Sequence, residues 1–340
     1  MATLWFALVA IMLAAYVVFD GFDLGAGTLH LLVAKTDAER KQVLATIGPV
    51  WDGNEVWLLA AGGTLYFAFP PLYASGFSGF YLPLMMVLWL LILRGISIEF
   101  RNHLDAPVWA PLWDVVFSIS SLLLAVFFGA ALGNVVRGVP LDEHGRFFEP
   151  LWTDFQVGAQ NGVLDWYTVL IGVAAALALA MHGALWLILK TDGAVRSRSL
   201  VLARRLWWAL SAATLVITVV TFRVQPLVPK SLGDRPWGLV FPAVALGGLA
   251  AMRFFLGTRE VRAFLASCTY LVGMLASVVF GVYPMVLPSS TNPEYSMTIY
   301  NAAAPDYGLR VGLIWWVIGM ALVTGYFVFT YRHFAGKVRQ

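Results

Sequence analysis

The chain consists of long apolar runs separated by short polar segments. A helix that crosses a bilayer needs about 20 mainly apolar residues, and the sequence contains nine such runs. The predicted spans cover 4–33, 52–70, 72–99, 112–133, 162–189, 206–224, 237–257, 262–287 and 311–331. The second is short, and only Pro70 and Pro71 separate it from the third. The pattern predicts an all-α integral membrane protein with nine transmembrane helices.

Composition supports this fold class and excludes several others. Of the 340 residues, 60% are hydrophobic and 12% are charged, whereas about a quarter of the residues are charged in soluble domains. The net charge of +3 is small and dispersed, so no nucleic-acid partner is expected. Cys268 is the only cysteine, which excludes an internal disulfide. Without a linker or a repeat, residues 1–340 are interpreted as one polytopic membrane domain.

The loop charges predict an orientation. If the N-terminus lies outside, fifteen of the 22 Lys and Arg residues fall in the inner loops or the inner C-terminus, which holds Arg332, Lys337 and Arg339. Six fall in the outer loops, including the two longest, 134–161 and 288–310. An excess of Lys and Arg is typical of cytoplasmic loops, so the inner side is predicted to be the cytoplasm. No Lys or Arg precedes the first apolar run, so we expect a retained span and not a cleaved signal peptide.

Several acidic residues lie inside the predicted spans or at their ends. A charged side chain at the centre of a bilayer costs at least about 2.5–3.5 kcal/mol. With an outward N-terminus, all of these acidic residues except Asp165 are predicted to converge on the inner half of the first four spans. The seven residues are Asp20, Asp23, Asp52, Glu55, Glu99, Asp114 and Asp165.

Their spacing indicates a shared function. Asp20 and Asp23 are three residues apart, which places them on one helix face, and Asp52 and Glu55 repeat that spacing. Neighbouring carboxylates do not all ionise easily, so such a group can hold and pass on protons. Arg94, inside the third span, can keep one acid ionised. The pattern favours a proton relay.

Structural interpretations remain open for the same residues. Asp52 and Glu55 can form a capping box at the start of their helix. Glu99 and Asp114 can be solvated helix ends, and Arg94 can extend to the membrane interface.

Asp20 and Asp23 also have a structural alternative, in which they bond the backbone of a closely packed neighbouring helix. The small residues that permit such an approach are Gly21, Gly25 and Gly27.

The histidines provide a weak case for haem binding. His30 and His182 lie in spans, and each is interpreted as a hydrogen-bonding residue of the bundle in preference to a haem ligand. The chain has no CxxCH motif. We expect no catalytic residue, haem ligand or metal site in this chain.

Six motifs, in this order and spacing, resemble subunit II of the cytochrome bd-type quinol oxidases, including the cyanide-insensitive branch. The similarity extends over essentially the whole chain. The motifs are DGFDLGAG (20–27), WDGNEVWLLAAGG (51–63), FSGFY (77–81), RGISIEFR (94–101), GNVVRGVP (133–140) and YPMVLPSS (283–290).

The resemblance implies a respiratory complex in the bacterial cytoplasmic membrane. Such oxidases are heterodimers that oxidise ubiquinol or menaquinol, reduce O2 to water and take protons from the cytoplasm, which generates a proton motive force. Subunit I carries two b-type haems and one d-type haem. Subunit II carries no haem ligands, supplies a proton path and in some members binds a structural quinone. Small single-helix accessory subunits occur in some complexes. The family fold is two four-helix bundles plus one peripheral helix.

The resemblance also assigns roles to particular residues. The DGFD acids match Asp20 and Asp23, and the acid of WDGN matches Asp52, positions that the family links to proton delivery. Glu55 matches a position occupied by Gln in some members. Arg94 and Glu99 match a charged patch after the third helix. The predicted proton path therefore comprises Asp20, Asp23, Asp52, Glu55, Arg94 and Glu99.

Two other functions are compatible with buried acids. A proton- or sodium-coupled secondary transporter would use them to bind its coupling ion, but it would also show inverted repeats and broken helices in both halves, and the C-terminal half has no second DGFD-like segment. A purely structural scaffold for a haem subunit differs from the relay only in mutants that assemble and lose activity.

Overall fold

The computed structural model describes residues 1–338, so Arg339 lies outside the described residues. The chain is mostly helical, and a two-stranded antiparallel sheet pairs β1 (Met285–Leu287) with β2 (Met297–Thr298). The α-helices are α1 (Ala2–Val33), α2 (Asp37–Ile47), α3 (Trp51–Ala68), α4 (Pro70–Gly79), α5 (Tyr81–Phe100), α6 (Trp109–Arg137), α7 (Trp166–Lys190), α8 (Gly193–Val224), α9 (Leu227–Asp234), α10 (Val240–Phe255), α11 (Glu260–Val282) and α12 (Asp306–His333).

Eight helical segments within the described residues are long and apolar enough to cross a membrane, which confirms a multi-pass all-α membrane protein. They are α1, α5, α6, α7, α8, α11, α12, and α10 with the short 3-10 turn that precedes it from Pro236. The predicted second span corresponds to α3, which is 18 residues long and carries Asp52, Asn54 and Glu55 in its first turns. α3 is not among the eight, and it packs along α1.

The predicted third span, 72–99, is wrong as a single helix. Phe69 leaves the helical conformation before Pro70, as a residue preceding proline tends to do. A second break follows at Phe80, between α4 and α5. Pro83 has no N–H to donate to the carbonyl of Gly79, and the N–H of Glu149 donates to that oxygen instead, at 3.4 Å. The span is therefore divided into α4 and α5.

Polar connections contain helices that the apolar pattern did not reveal. α2 begins with a complete capping box between Thr36 and Glu39, and this sequence signal was available. α8 starts at Gly193, well before the predicted 206, because its first turns are polar and lie outside the apolar run. α9 lies in the predicted loop 225–236.

Helix α1 lies at the centre of the fold, against α3, α6, α7 and α11. Its glycines permit very close packing. A Cβ at Gly25 would lie 2.0 Å from the carbonyl oxygen of Leu179, and one at Gly27 would lie 2.1 Å from the hydroxyl oxygen of Ser121. The expected role of these glycines in the close approach of helices is confirmed. The close packing places the polar residues between the glycines in the protein interior.

The two ends of the helical assembly differ. At one end, called here the basic end, ion pairs join the connections that carry most of the Lys and Arg residues: Arg198 pairs with Glu39, and Lys337 with Glu260. At the opposite end, segments 138–165 and 283–305 pack together. Val139 and Ser289 form a β-bridge between these two segments.

Candidate functional site

Asp20 on α1 forms a buried ion pair with Arg94 on α5. Both side chains are fully buried. Arg94 Nη1 lies 2.9 Å from Asp20 Oδ2, and Arg94 Nη2 donates to Asp20 Oδ1. This bidentate hydrogen bonding is the strongest interaction that a guanidinium makes with a carboxylate. Arg94 therefore does not extend to the membrane interface, which excludes that structural alternative, and it pairs with one of the acids, as the relay interpretation requires.

Glu55 on α3 extends the same cluster. Its Oε2 lies 3.8 Å from Arg94 Nη1, which is an ion pair without a hydrogen bond. About a quarter of the Glu55 side chain is exposed, in contrast to the buried Asp20 and Arg94. The cluster thus has one member near its surface.

Asp23 lies one helical turn after Asp20 and has a different environment. It is fully buried, and Asn54 Nδ2 donates to its Oδ2 at 2.7 Å. The Tyr331 hydroxyl on α12 donates to Asn54 Oδ1 at 2.8 Å, which completes a chain from α12 through α3 to α1. No Lys or Arg within residues 1–338 forms an ion pair with Asp23. Sequence reasoning missed Asn54 and Tyr331.

Five buried polar atoms around these carboxylates have no hydrogen-bond partner among the described residues. Buried polar groups are normally paired, and internal water is the usual partner when protein is not. The atoms are Tyr16 Oη, Asp23 Oδ1, Glu55 Oε2, Trp57 Nε1 and Arg94 Nε.

Asp52 and Glu99 lie outside the buried cluster. Both side chains are exposed, and within residues 1–338 neither makes a side-chain hydrogen bond or ion pair. The alternative of a capping box between Asp52 and Glu55 is excluded, because the N-cap position of α3 is Val50 and no side chain caps the helix. Asp52 precedes Glu55 by one turn.

Asp114 belongs to a second cluster, at the basic end. It is 1% exposed, which excludes the alternative of a solvated helix end. Asp114 Oδ1 lies 2.7 Å from both His30 Nε2 and Arg101 Nε, and Asp114 Oδ2 lies 3.0 Å from Arg40 Nη1. Arg101 also contacts Asp37 at 2.7 Å. Hydrogen bonds from Lys41 and Arg101 lower the pKa of Asp37.

A third buried network lies at the opposite end. Asp165 caps α7 by accepting hydrogen bonds from the N–H groups of Tyr167 and Thr168, each at 2.8 Å. It also pairs with Arg137, which lies 2.7 Å from Glu149 Oε1. Burial raises the pKa of Glu149 to about 7, against the opposing effect of Arg137. The sequence analysis placed Asp165 at this end but missed Glu149.

The two buried histidines make hydrogen bonds inside the helical assembly, and His30 Nδ1 has no partner among the described residues. His30 Nε2 is held by Asp114. His182 Nδ1 lies 2.7 Å from Ser267 Oγ, and its Nε2 lies 2.9 Å from the carbonyl oxygen of Val18. Both therefore act as hydrogen-bonding residues of the helical assembly, as expected. Within residues 1–338, no three His, Cys, Asp or Glu side chains are grouped to hold a metal ion.

Comparisons with known proteins agree over the length of the chain. A family model described as cytochrome bd terminal oxidase subunit II matches residues 1–334. A probable cytochrome oxidase subunit 2 of Haemophilus influenzae is 31% identical, covering 98% of this chain and 94% of the relative. Subunit 2 of the cytochrome bd ubiquinol oxidase of Bacillus subtilis is 29% identical, covering 98% and 96%. The solved bd oxidase of Geobacillus thermodenitrificans has a similar fold, with a TM-score of 0.74 at 17% identity and 98% of each chain covered.

Proposed function

Because the chain belongs to the cytochrome bd terminal oxidase subunit II family, we propose that it is the haem-free subunit of a respiratory quinol oxidase. It stabilises a haem-bearing subunit I and delivers protons for the reduction of O2 to water. The oxidation of ubiquinol or menaquinol in this complex generates a proton motive force. Family membership favours this function over a proton- or sodium-coupled transporter.

The redox chemistry of this complex belongs to its partner. Subunit I holds the two b-type haems and the d-type haem, which supply electron transfer and O2 reduction when bound. The residues of this chain hold and move protons. A structural quinone bound in this subunit and single-helix accessory subunits are compatible with this assembly.

The proposed topology places the basic end in the cytoplasm of a bacterial cell and the N-terminus outside. Lys and Arg concentrate on the cytoplasmic side of bacterial membrane proteins, and the structure brings most of the Lys- and Arg-rich connections to one end. With α3 as the ninth span, the helices form two groups of four. The first group contains α1, α3, α5 and α6, and the second contains α7, α8, α10 and α11. Helix α12 is peripheral.

The proton-delivery role is supported above all by the excess of carboxyl groups over cations around Arg94. Asp20, Asp23 and Glu55 supply three carboxyl groups, and Arg94 is the one cation that forms an ion pair with any of them among the described residues. Buried uncompensated charge is costly. The cluster therefore favours states in which a carboxyl group holds a proton, which is what a relay requires.

The exposed acids provide a route between this cluster and solvent. Asp52 lies one turn before Glu55, and Glu55 lies beside Arg94. Glu99 is exposed five residues after the buried Arg94 on α5. We assign Asp52 and Glu99 the role of collecting protons at the basic end and Glu55 the role of passing them inward.

The proposal is tested by replacing Asp23 with Asn in the assembled complex. Asn has nearly the same shape but cannot carry a proton, so quinol-dependent O2 uptake per haem should fall by at least about tenfold, in the range seen for lost acid–base groups. Haem absorbance should be unchanged. The matched control is Asp105→Asn, an exposed aspartate at the same end, which should retain full activity.

An Asp23→Asn complex that contains its haems and turns over at the wild-type rate would exclude a relay through Asp23. The chain would then act as a scaffold for its partner.

A further inference from the structure

A groove opens on the surface at the basic end, between the last turn of α1 and the first turns of α8. Its volume is about 410 Å³, within the roughly 300–1,000 Å³ of pockets that hold small molecules. The groove combines apolar side chains with two guanidinium groups, so its occupant should have both an apolar and an anionic part. The lining includes Leu32, Val33, Arg198, Val201, Leu202 and Arg205.

Arg198 is held in place by contacts that use only one of its nitrogen atoms. Nη1 lies 2.9 Å from the carbonyl oxygen of Val33 and 2.7 Å from Glu39 Oε2, and it donates to both. Nε and Nη2 make no hydrogen bond within residues 1–338, and 38% of the side chain is exposed. Two adjacent N–H groups of a guanidinium can bind a phosphate through parallel hydrogen bonds. Arg198 is therefore a positioned arginine with donors left for an anion.

Arg205 supplies the net positive charge of the groove. Glu39 offsets the charge of Arg198, whereas Arg205 is exposed and makes no ion pair or side-chain hydrogen bond among the described residues. The two arginines are seven residues apart on α8, which is about two helical turns and places them on the same face. Their side chains are long enough to reach one phosphate from two sides.

The face of α8 that forms the groove continues as an exposed apolar stripe. Val201, Arg205 and Trp208 follow one another at spacings of four and three residues, which places them on this face. Trp208 is 67% exposed, and Leu215, about two turns farther on, is 69% exposed. Tryptophan is typical of the boundary between headgroups and hydrocarbon in a bilayer. The groove therefore lies at this boundary, with its arginines on the headgroup side and an apolar surface on the other.

We propose that this groove binds an anionic phospholipid of the cytoplasmic leaflet. The phosphate lies between Arg198 and Arg205, and an acyl chain runs along Val201 and Trp208. Basic pockets on the cytoplasmic side of transmembrane helices suit anionic headgroups. A zwitterionic lipid has the same phosphate but adds a cation that the unpaired Arg205 repels, so the site selects by net charge. The inference goes beyond the proposed function and shares only its orientation, in which the basic end is cytoplasmic.

Photo-crosslinking in the purified complex tests this site. The probe is phosphatidylglycerol that carries a diazirine on one acyl chain, and the labelled segments are identified by mass spectrometry. We expect label on the part of α8 that contains Val201 and Trp208. Arg205→Gln should reduce this label about fivefold, as for the loss of one basic residue beside an anionic membrane surface. The matched control is Arg204→Gln, since Arg204 is also exposed but does not line the groove, and it should retain the wild-type label.

Competition identifies the chemistry of the occupant. Unlabelled phosphatidylglycerol should displace the probe, whereas phosphatidylcholine and inorganic phosphate at the same concentration should not. Equal displacement by phosphatidylcholine would show contact with lipid chains without recognition of charge. Displacement by inorganic phosphate would show an anion site that needs no membrane lipid. Either result would overturn the proposal.

Two further outcomes of the labelling would also overturn it. An unlabelled α8 in the wild-type complex would show that another subunit covers the groove, and equal labelling of the Arg205→Gln and wild-type complexes would exclude Arg205 from binding. None of the proposed relay residues lines the groove, so quinol-dependent O2 uptake of the Arg205→Gln complex should equal that of the wild type. Failure of the lipid site thus leaves the proposed function to be decided by Asp23→Asn.

Discussion

Two buried aspartates, Asp23 in the centre and Asp114 at the basic end, have opposite environments. Asp114 accepts hydrogen bonds at both oxygens from three cationic or potentially cationic side chains, Arg40, Arg101 and His30. Asp23 receives one hydrogen bond, from the neutral amide of Asn54, and its second oxygen is unpartnered among the described residues. Burial alone therefore does not distinguish a structural carboxylate from one that exchanges protons.

The difference has a physical basis. A carboxylate whose lone pairs are filled by charged donors is stabilised in its ionised form, and its bonds tie helices together. A carboxylate with one neutral donor and a free oxygen gains little from ionising in an apolar interior. The first arrangement suits the joining of α1, α2, α5 and α6, and the second suits proton exchange.

The largest effect is expected from removing the cation of the central cluster. Arg94→Met leaves Asp20 as a buried charge without a partner, a change that typically costs about 3–5 kcal/mol. We expect the yield of haem-containing complex to fall sharply. The double variant Asp20→Asn with Arg94→Met removes both charges and should recover most of the yield. The measurement is haem absorbance per purified complex.

An Arg94→Met complex obtained at the wild-type yield would show that water already compensates the charge of Asp20. The central cluster would then contain much more water than its burial indicates.

A smaller effect on stability, and none on turnover, is expected at the basic end. Asp114→Asn weakens charge-assisted hydrogen bonds worth about 1.5–3 kcal/mol each, so the complex should unfold at a lower temperature. O2 uptake per haem should remain at the wild-type value, which is the reverse of the result expected for Asp23→Asn. Loss of turnover in a stable Asp114→Asn complex would remove the distinction between the two aspartates.

The sequence predicted the membrane class, most of the spans and the shared face of Asp20 and Asp23, because these depend on local composition and helical periodicity. It did not predict which acid meets which cation. Arg94 and Asp20 are 74 residues apart, and only the tertiary fold, in which α6 packs against both α1 and α5, brings them together. Asp114 looked like a solvated end because the cationic residues that cover it come from other segments.

Neutral polar residues were the hardest to assign. Asn54 lies between two acids in WDGNEV, and Tyr331 resembles any aromatic residue near the end of a span. Neither carries a charge whose burial would mark it as unusual. Their role depends on a single contact between α3 and α12, which no local pattern encodes. The helix break at Phe80 and the capping box of α2 did have local signals, in Pro83 and in Thr36 with Glu39.

Glu149, at the opposite end, provides an intermediate case between the two aspartates. It has one charged donor, Arg137, and one oxygen without a partner among residues 1–338. Burial raises its pKa from 4.5 to about 7. Between these two pH values the folded protein binds more protons than the unfolded chain, so the free energy of unfolding should fall as the pH rises through this window.

The prediction is a melting temperature of the complex that decreases by a few degrees between pH 5 and 7, about the shift expected for a change of 1–2 kcal/mol in a protein of this size. Glu149→Gln stays neutral at every pH and should flatten this profile. Glu143→Gln, an exposed neighbour in the same loop, should leave it intact. If the Glu149→Gln profile matches that of the wild type, Arg137 keeps Glu149 ionised throughout. Glu149 would then belong with Asp114 as a structural carboxylate, and a free oxygen would not be sufficient to make a buried acid exchange protons.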